Sequence, residues 1–158
     1  MENAKQINEQ LTICGQINLN QLQQAAQEGF KSVLNLRSSE EKGYLAEEEQ
    51  QAKALGLVYC QSPVTPTALN QEHITQILQL IDDLPKPVLL HCGTGLRAGV
   101  ISLMYLVARQ EITPEQAWEK AQQLGIDWNA SPKLQEIFQN YLAQFSRITQ
   151  TAQKQEYS

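Results

Sequence analysis

The chain has 158 residues and a mass of 17.8 kDa, which predicts one domain or at most two, and its 42% apolar content is enough for a proper core. With 12 Lys+Arg against 17 Asp+Glu, a formal net charge of −5 and a pI near 5.0, it lacks the basic face of a nucleic-acid binder. Three irregularly placed cysteines argue against a secreted disulfide framework. Met1–Gln6 carries no basic-then-apolar leader pattern, and the longest apolar stretch, about 98–108, falls far short of the ~20 residues of a membrane span. The expectation is a soluble, cytoplasmic protein with neither nucleic-acid nor membrane partners. Its many glutamines are scattered along helical segments and read as solvated helix surface.

Leu11-Thr12-Ile13-Cys14, closed by Gly15, predicts a first strand; residues 1–10 are left as an N-terminal extension. Asn18 reads as an N-cap before a helix carrying Leu19, Leu22 and Ala26, with Gly29 as its stop. Ser32 to Leu36 predicts a strand, Leu45 to Leu55 a helix ended by Gly56, and Leu57 to Cys60 another strand. Ile74, Ile77, Leu78, Ile81 and Leu84 form one helical stripe that Pro85 and Pro87 terminate. Val88-Leu89-Leu90-His91 is a short apolar strand, followed by a helix from about Ala98 to Arg109. Thr113-Pro114-Glu115-Gln116 is a capping box with proline at the first helical position. Ser131-Pro132 opens the last helix, whose core face is Leu134, Ile137, Phe138, Tyr141, Leu142 and Phe145. The alternation predicts an α/β fold with a mainly parallel four- to five-stranded sheet flanked by helices. A single domain over 11–149 and a frayed tail over 150–158 complete the expected organisation. Ligands of such sheets bind beyond the carboxyl ends of the strands, here the loops after residues 36, 60 and 91.

The third of these loops carries the chemistry. In His91-Cys92-Gly93-Thr94-Gly95-Leu96-Arg97-Ala98-Gly99, three of the chain's eight glycines fall within seven residues between a buried strand and a helix. Such a turn aims backbone N–H groups at one centre and forms an anion nest. The same positive field, with the Arg97 guanidinium, favours the thiolate of Cys92, and the thiolate is the nucleophile. Arg97 can grip a tetrahedral oxyanion with a planar fork. The bland alternative makes Cys92 a small buried hydrophobe and Arg97 a surface residue; a cysteine and an arginine bracketing two glycines at a strand-to-helix turn argue against it.

His-Cys, a glycine loop and Arg after a strand resemble the phosphate-binding loop of cysteine-dependent tyrosine and dual-specificity phosphatases. Gly29 to Arg37 with its Asn35-Leu36-Arg37 ending, Leu57 to Val64 with its trailing Pro63, and Asn129-Ala130-Ser131-Pro132 are similar to other segments of those enzymes, so the resemblance covers about residues 11–145. Two departures stand out. The phosphatases usually place five residues between Cys and Arg, and here Gly93 to Leu96 are four; they usually follow Arg with Ser or Thr, and here Ala98 stands there. A four-residue spacing is the habit of rhodanese sulfurtransferases. The chain resembles the phosphatase-like domain of bacterial beta-lactamase-hydrolase-like proteins, which combine a phosphatase-type fold with the shorter loop.

The resemblance implies a phosphoric monoester hydrolase in which Cys92 attacks phosphorus. Gly93, Thr94, Gly95, Leu96 and Arg97 would bind the phosphate, and His91 would orient the loop. The substrate would be a phosphorylated small molecule or a phosphoprotein. A rhodanese-like sulfurtransferase with a Cys92 persulfide, and a non-catalytic phosphate- or anion-binding module, stay open beside it. No cofactor is implied, and His73, His91 and the three cysteines lie too far apart in sequence for a metal set. The loop after the third strand, Ser62 to Gln71, contains no carboxylate where these phosphatases keep their general acid. Glu72, His73, Glu40 and Glu41 are the long shots for that role. Arg37 either adds positive field near the site or pairs with Glu40 or Glu41. Cys14 and Cys60 read as core residues at strand ends, with a redox partnership to Cys92 as the alternative. Trp118 and Trp128 read as core or rim.

Overall fold

The computed structural model describes the backbone over residues 3–156 and side chains over 3–146. The chain forms two compact units, Met1–Ala98 and Gly99–Ser158. Among the described residues, every strand lies in the first unit and the second is helical, the division falling within a helix.

The first unit holds a five-stranded sheet, ordered β1-β2-β5-β3-β4. The strands are β1 (Lys5–Gln6), β2 (Leu11–Cys14), β3 (Ser32–Asn35), β4 (Val58–Gln61) and β5 (Val88–His91). β5 lies between β2 and β3 and is parallel to both, while β3 is parallel to β4. All four residues of β5 are buried, as an unbroken apolar run demands when both faces of a parallel strand are covered. Val33 and Leu89 belong to one core cluster with Cys14, Ile17, Leu22, Ala25, Ala52, Leu57 and Tyr59. Ile13, Leu34 and Leu90 are mutual register partners on the opposite face and are equally buried. At the carboxyl end, the row Cys14, His91, Asn35 closes the first face.

Three helices belong wholly to this unit: α1 (Leu19–Gln27), α2 (Glu48–Ala54) and α3 (Gln71–Asp83). Asn18 and Gln21 cap α1 reciprocally, each side chain accepting from the other's backbone N–H at 2.8 and 2.9 Å. Ile74, Ile77, Leu78 and Ile81 form the buried stripe of α3. α2 starts later than the composition of 45–55 predicted. Residues 38–47 fold instead as turns around Ser38, Gly43 (φ +86°) and Leu45, and the Lys42 carbonyl accepts from Arg37 Nη2 at 2.5 Å. The extra strand β1 corrects the reading of 1–10 as an extension: Lys5 pairs with Ile13 and Gln6 with Thr12, antiparallel. Asn8 makes the turn, its side-chain oxygen accepting from the N–H groups of Gln10 and Leu11 at 2.8 and 2.9 Å.

Helix α4 (Leu96–Ala108) starts in the first unit and continues through the second. Val100, Ile101, Leu103 and Met104 are all fully buried, so it is apolar around its circumference rather than along one stripe. α5 (Pro114–Gln123) carries the Thr113–Gln116 capping box, and α6 spans Pro132–Glu156. The expected tail over 150–158 lies outside the described side chains; its backbone continues α6 to Glu156. Trp118 and Trp128 meet at 5.6 Å and both pack on Phe138, at 4.8 and 5.3 Å. They are a packing cluster. Phe138 is fully buried there, so Phe138→Ala should cost about 3–5 kcal/mol in urea unfolding and alter tryptophan fluorescence.

Candidate active site

Two glycine contacts let the loop after β5 lie flat against the end of β2. Gln16 N–H donates to the Gly93 carbonyl at 3.1 Å and Cys92 N–H to the Cys14 carbonyl at 3.3 Å. A Cβ on Gly15 would stand 2.9 Å from the Gly93 oxygen, closer than real side chains come. Gly95 has φ +96°, a left-handed conformation that carries its backbone past Cys14. The result is a fully buried Cys92 whose Sγ accepts from Gly95 N–H at 3.1 Å. Of the other amides expected to converge, Leu96's is drawn to Thr94 Oγ1 at 3.4 Å.

Arg97, a first-turn residue of α4, is held by three residues from the segments after β3 and β4. Nη1 donates to Glu41 Oε2 at 2.9 Å and to the carbonyls of Val64 and Leu36 at 3.1 and 3.3 Å; Nη2 donates to Glu41 Oε1 at 2.8 Å. The pair with Glu41 is therefore bidentate. Nη2 also lies 3.6 Å from the point where a Gly93 side chain would begin, which puts the guanidinium over the loop. Glu41 accepts from Ser38 N–H at 2.7 Å and Arg37 Nε at 3.2 Å as well. Hydrogen bonding from Arg97 above all drives its carboxyl down to about 2, against the cost of burial. A carboxylate so committed donates no proton near neutrality, which removes Glu41 as a general acid. Glu40 and Glu72 stand exposed, the latter in the first turn of α3, and His73 is half-buried beside it. Arg37 is buried and pairs with Glu41, the second of its two expected roles.

His91 is placed differently from the expectation that it bonds within the loop. Its Nε2 lies 2.5 Å from Glu48 Oε2, on α2, and both residues are buried. The same Oε2 accepts from Tyr59 O–H at 2.7 Å, and Oε1 accepts from Gln16 Nε2 at 2.8 Å. Tyr59 in turn accepts from Asn35 Nδ2 at 2.9 Å. Burial raises the Glu48 carboxyl, and the hydrogen bonds from His91, Tyr59 and Gln16 more than reverse that, leaving it below its ordinary value. Burial, with Glu48 adding to it, pushes the Tyr59 phenol up, so it stays a donor. Gln16 Oε1 accepts from Arg37 Nη1 at 2.6 Å. Polar links thus run unbroken from His91 through Glu48, Gln16, Arg37 and Glu41 to Arg97. None of Glu48, Gln16, Tyr59 or Asn35 was a sequence candidate. The middle glutamate of Glu47-Glu48-Glu49 has no local pattern that marks it as buried.

The other thiols behave differently. Burial, then the neighbouring Cys92 and Glu48, push the Cys14 thiol up to about 12, so it stays protonated. Cys60 is half-buried. Beside the loop, beyond the ends of β2 and β5, lies a hollow of about 390 Å³ bounded by Gly15, Gly93, Thr94, Gln16, Gln21 and Asn3, with Cys14 and Ile17 completing its wall. Among the described residues, no helix is long and apolar enough to cross a membrane.

A family model described as "Beta-lactamase hydrolase-like protein, phosphatase-like domain" matches residues 3–107. A beta-lactamase hydrolase-like protein of Xylella fastidiosa is 36% identical over 95 residues, covering 58% of this chain and 22% of that protein. The chain thus matches little more than a fifth of the length of that relative. A crystal structure of a DUF442 protein from Shewanella putrefaciens superposes with TM-score 0.78 at 24% identity, covering 90% of each chain. One from Neisseria meningitidis gives TM-score 0.71 at 25% identity, covering 89% of this chain and 99% of the other.

The sign of the Glu41 shift fixes a pH dependence. Its stabilisation is fully present above about pH 4.5 and is lost as pH falls toward 2. The thermal-stability gap between the wild type and Glu41→Gln should therefore be widest near neutrality and close as pH is lowered through that window.

Proposed function

The chain belongs to the family of the beta-lactamase hydrolase-like protein's phosphatase-like domain, and on that premise we propose that it is a cysteine-dependent phosphatase with Cys92 as nucleophile and Arg97 as the oxyanion holder. One observation carries this reading: Gly95 N–H points at Cys92 Sγ from 3.1 Å while Glu41 pins Arg97 over the same loop. Donors fixed before substrate arrives need no reorganisation in the transition state. The related structures from Shewanella and Neisseria both carry a provisional phosphatase name.

The Cys92 thiolate attacks phosphorus of a phosphate monoester on a small molecule or a protein. The P–O bond to the leaving group breaks, the departing oxygen takes its proton from water, and a phosphocysteine forms. Water then attacks phosphorus, the S–P bond breaks, and the thiolate and inorganic phosphate are released. The amides of the 93–97 turn and the Arg97 fork hold the equatorial oxygens through both steps. His91 orients the loop through its place next to Cys92, its Nε2 held by Glu48 while, among the described residues, Nδ1 meets no partner. The loop after β4 contributes the Val64 carbonyl to Arg97, and no carboxylic acid.

One observation favours a second reading. Four residues rather than five separate Cys92 from Arg97, a spacing that suits a persulfide-bearing loop. In a sulfurtransferase, Cys92 would take sulfane sulfur from a donor and pass it to a thiophilic acceptor. Parallel assays of aryl phosphate hydrolysis and thiosulfate-to-cyanide transfer decide between them.

Cys92→Ser should abolish turnover, and Arg97→Lys should lower kcat by roughly a hundredfold, as loss of an oxyanion donor does. Turnover of Cys92→Ser comparable with wild type would overturn the mechanism. Without an acid, hydrolysis should follow leaving-group acidity steeply: nitrophenyl phosphate far faster than phosphotyrosine, and phosphoserine scarcely at all. Glu40→Gln, Glu72→Gln and His73→Gln should each change kcat by less than about tenfold, where loss of a true acid costs 10²–10⁴.

A further inference from the structure

We propose that Glu48 is the positioning residue of the Cys92 loop, setting both of its ends from one buried carboxylate. The inference rests on the reading above only in taking Cys92 as the nucleophile.

The proton positions follow from counting donors. Tyr59 already accepts from Asn35, so its own O–H must go to Glu48. Gln16 already accepts from Arg37 on Oε1, so its amide must face Glu48 with Nε2. Glu48 Oε2 is thus an acceptor, and the short contact to His91 requires the imidazole proton on Nε2. Three donors converge on one carboxylate, and no other side chain of this size accepts on both atoms. His91 immediately precedes Cys92, so fixing its ring fixes the start of the loop. Gln16 reaches Arg37, and Arg37 and Arg97 share Glu41, so the far end is tied to the same anchor.

Glutamine at position 48 cannot reproduce this. Its NH₂ must face Tyr59 and His91, or face Gln16, and Tyr59 and Gln16 are donors whose orientation a second bond has already set. One link of the chain has to break. Two consequences then oppose each other at Cys92. The charged and titratable groups around it are Glu48 on α2, Arg97 on α4, Cys14 on β2, His91 on β5, and Arg37 with Glu41 after β3. Removing the Glu48 charge alone makes the Cys92 thiolate easier to form. Loosening the loop withdraws the Gly95 amide and Arg97 and makes it harder.

The test is the pH dependence of Cys92 alkylation by iodoacetamide, read residue by residue by mass spectrometry on the full-length protein. If Glu48 positions the loop, Glu48→Gln should raise the alkylation midpoint by at least about half a pH unit and lower kcat for nitrophenyl phosphate more than tenfold, with a smaller change in KM. A midpoint that stays or falls makes Glu48 a bystander charge and overturns the proposal. Tyr59→Phe removes one donor and keeps the ring, so it should move the midpoint the same way by less; no rise there also overturns it, and it decides the matter if Glu48→Gln does not fold. Alkylation needs no turnover, so a protein without phosphatase activity fails the functional reading while leaving this test intact.

Discussion

A carboxylate taken out of water must be met by hydrogen-bond donors, and most of the site's architecture answers that demand. Glu48 is almost fully buried, and desolvation by itself pushes its carboxyl up. Donors from β4, from the segment after β2 and from the end of β5 keep it charged. Two of those donors have a second bond of their own, Tyr59 to Asn35 and Gln16 to Arg37, at and just after the end of β3. The arrangement therefore ties together the carboxyl ends of β2, β3, β4 and β5, which is where a parallel sheet presents its loops. A buried network of this kind specifies one geometry to the extent that its members are satisfied, and here, among the described residues, His91 Nδ1 is left without a partner.

The two arginines divide the work that one cation does in a simpler anion site. Arg37 is buried among Gln16, Glu41 and the Lys42 carbonyl and faces inward. Arg97 is half-buried, with one edge given to Glu41, Val64 and Leu36. Glu41 sits between them and balances both, so the positive field beside Cys92 is held without a loose charge. The same geometry commits the Glu41 carboxylate to holding the guanidinium.

Local patterns were legible in the sequence, and long-range polar pairs were not. The strand Val88–His91, the glycine turn and the cap residues Asn18 and Thr113 rest on neighbours within a few positions, and the structure places them as read. Arg37 was narrowed to two roles, and it took one of them. Glu48, by contrast, lies 43 residues from His91, and Gln16 lies 21 from Arg37. Nothing in the helical spacing of Glu47-Glu48-Glu49 says which carboxylate turns inward. The start of α2 was misplaced for a related reason: the residues before it favour helix by composition, but the carbonyl of Lys42 and the side chain of Glu41 are needed by the arginines. β1 was missed because two exposed residues have no periodicity to detect.

That short strand has a further significance. A sheet ends in rows of unsatisfied N–H and C=O groups, which invite pairing with other chains and with it aggregation. Here the flank of β2 is occupied by Lys5 and Gln6, both exposed and one of them charged. A two-residue ribbon can shield its neighbour but is too brief, and too well hydrated, to template another molecule. At the opposite margin β4 has four residues, with Val58 exposed and Gln61 beside the loop. The sheet thus has one margin shielded by a two-residue ribbon and the other formed by a strand as long as its neighbours.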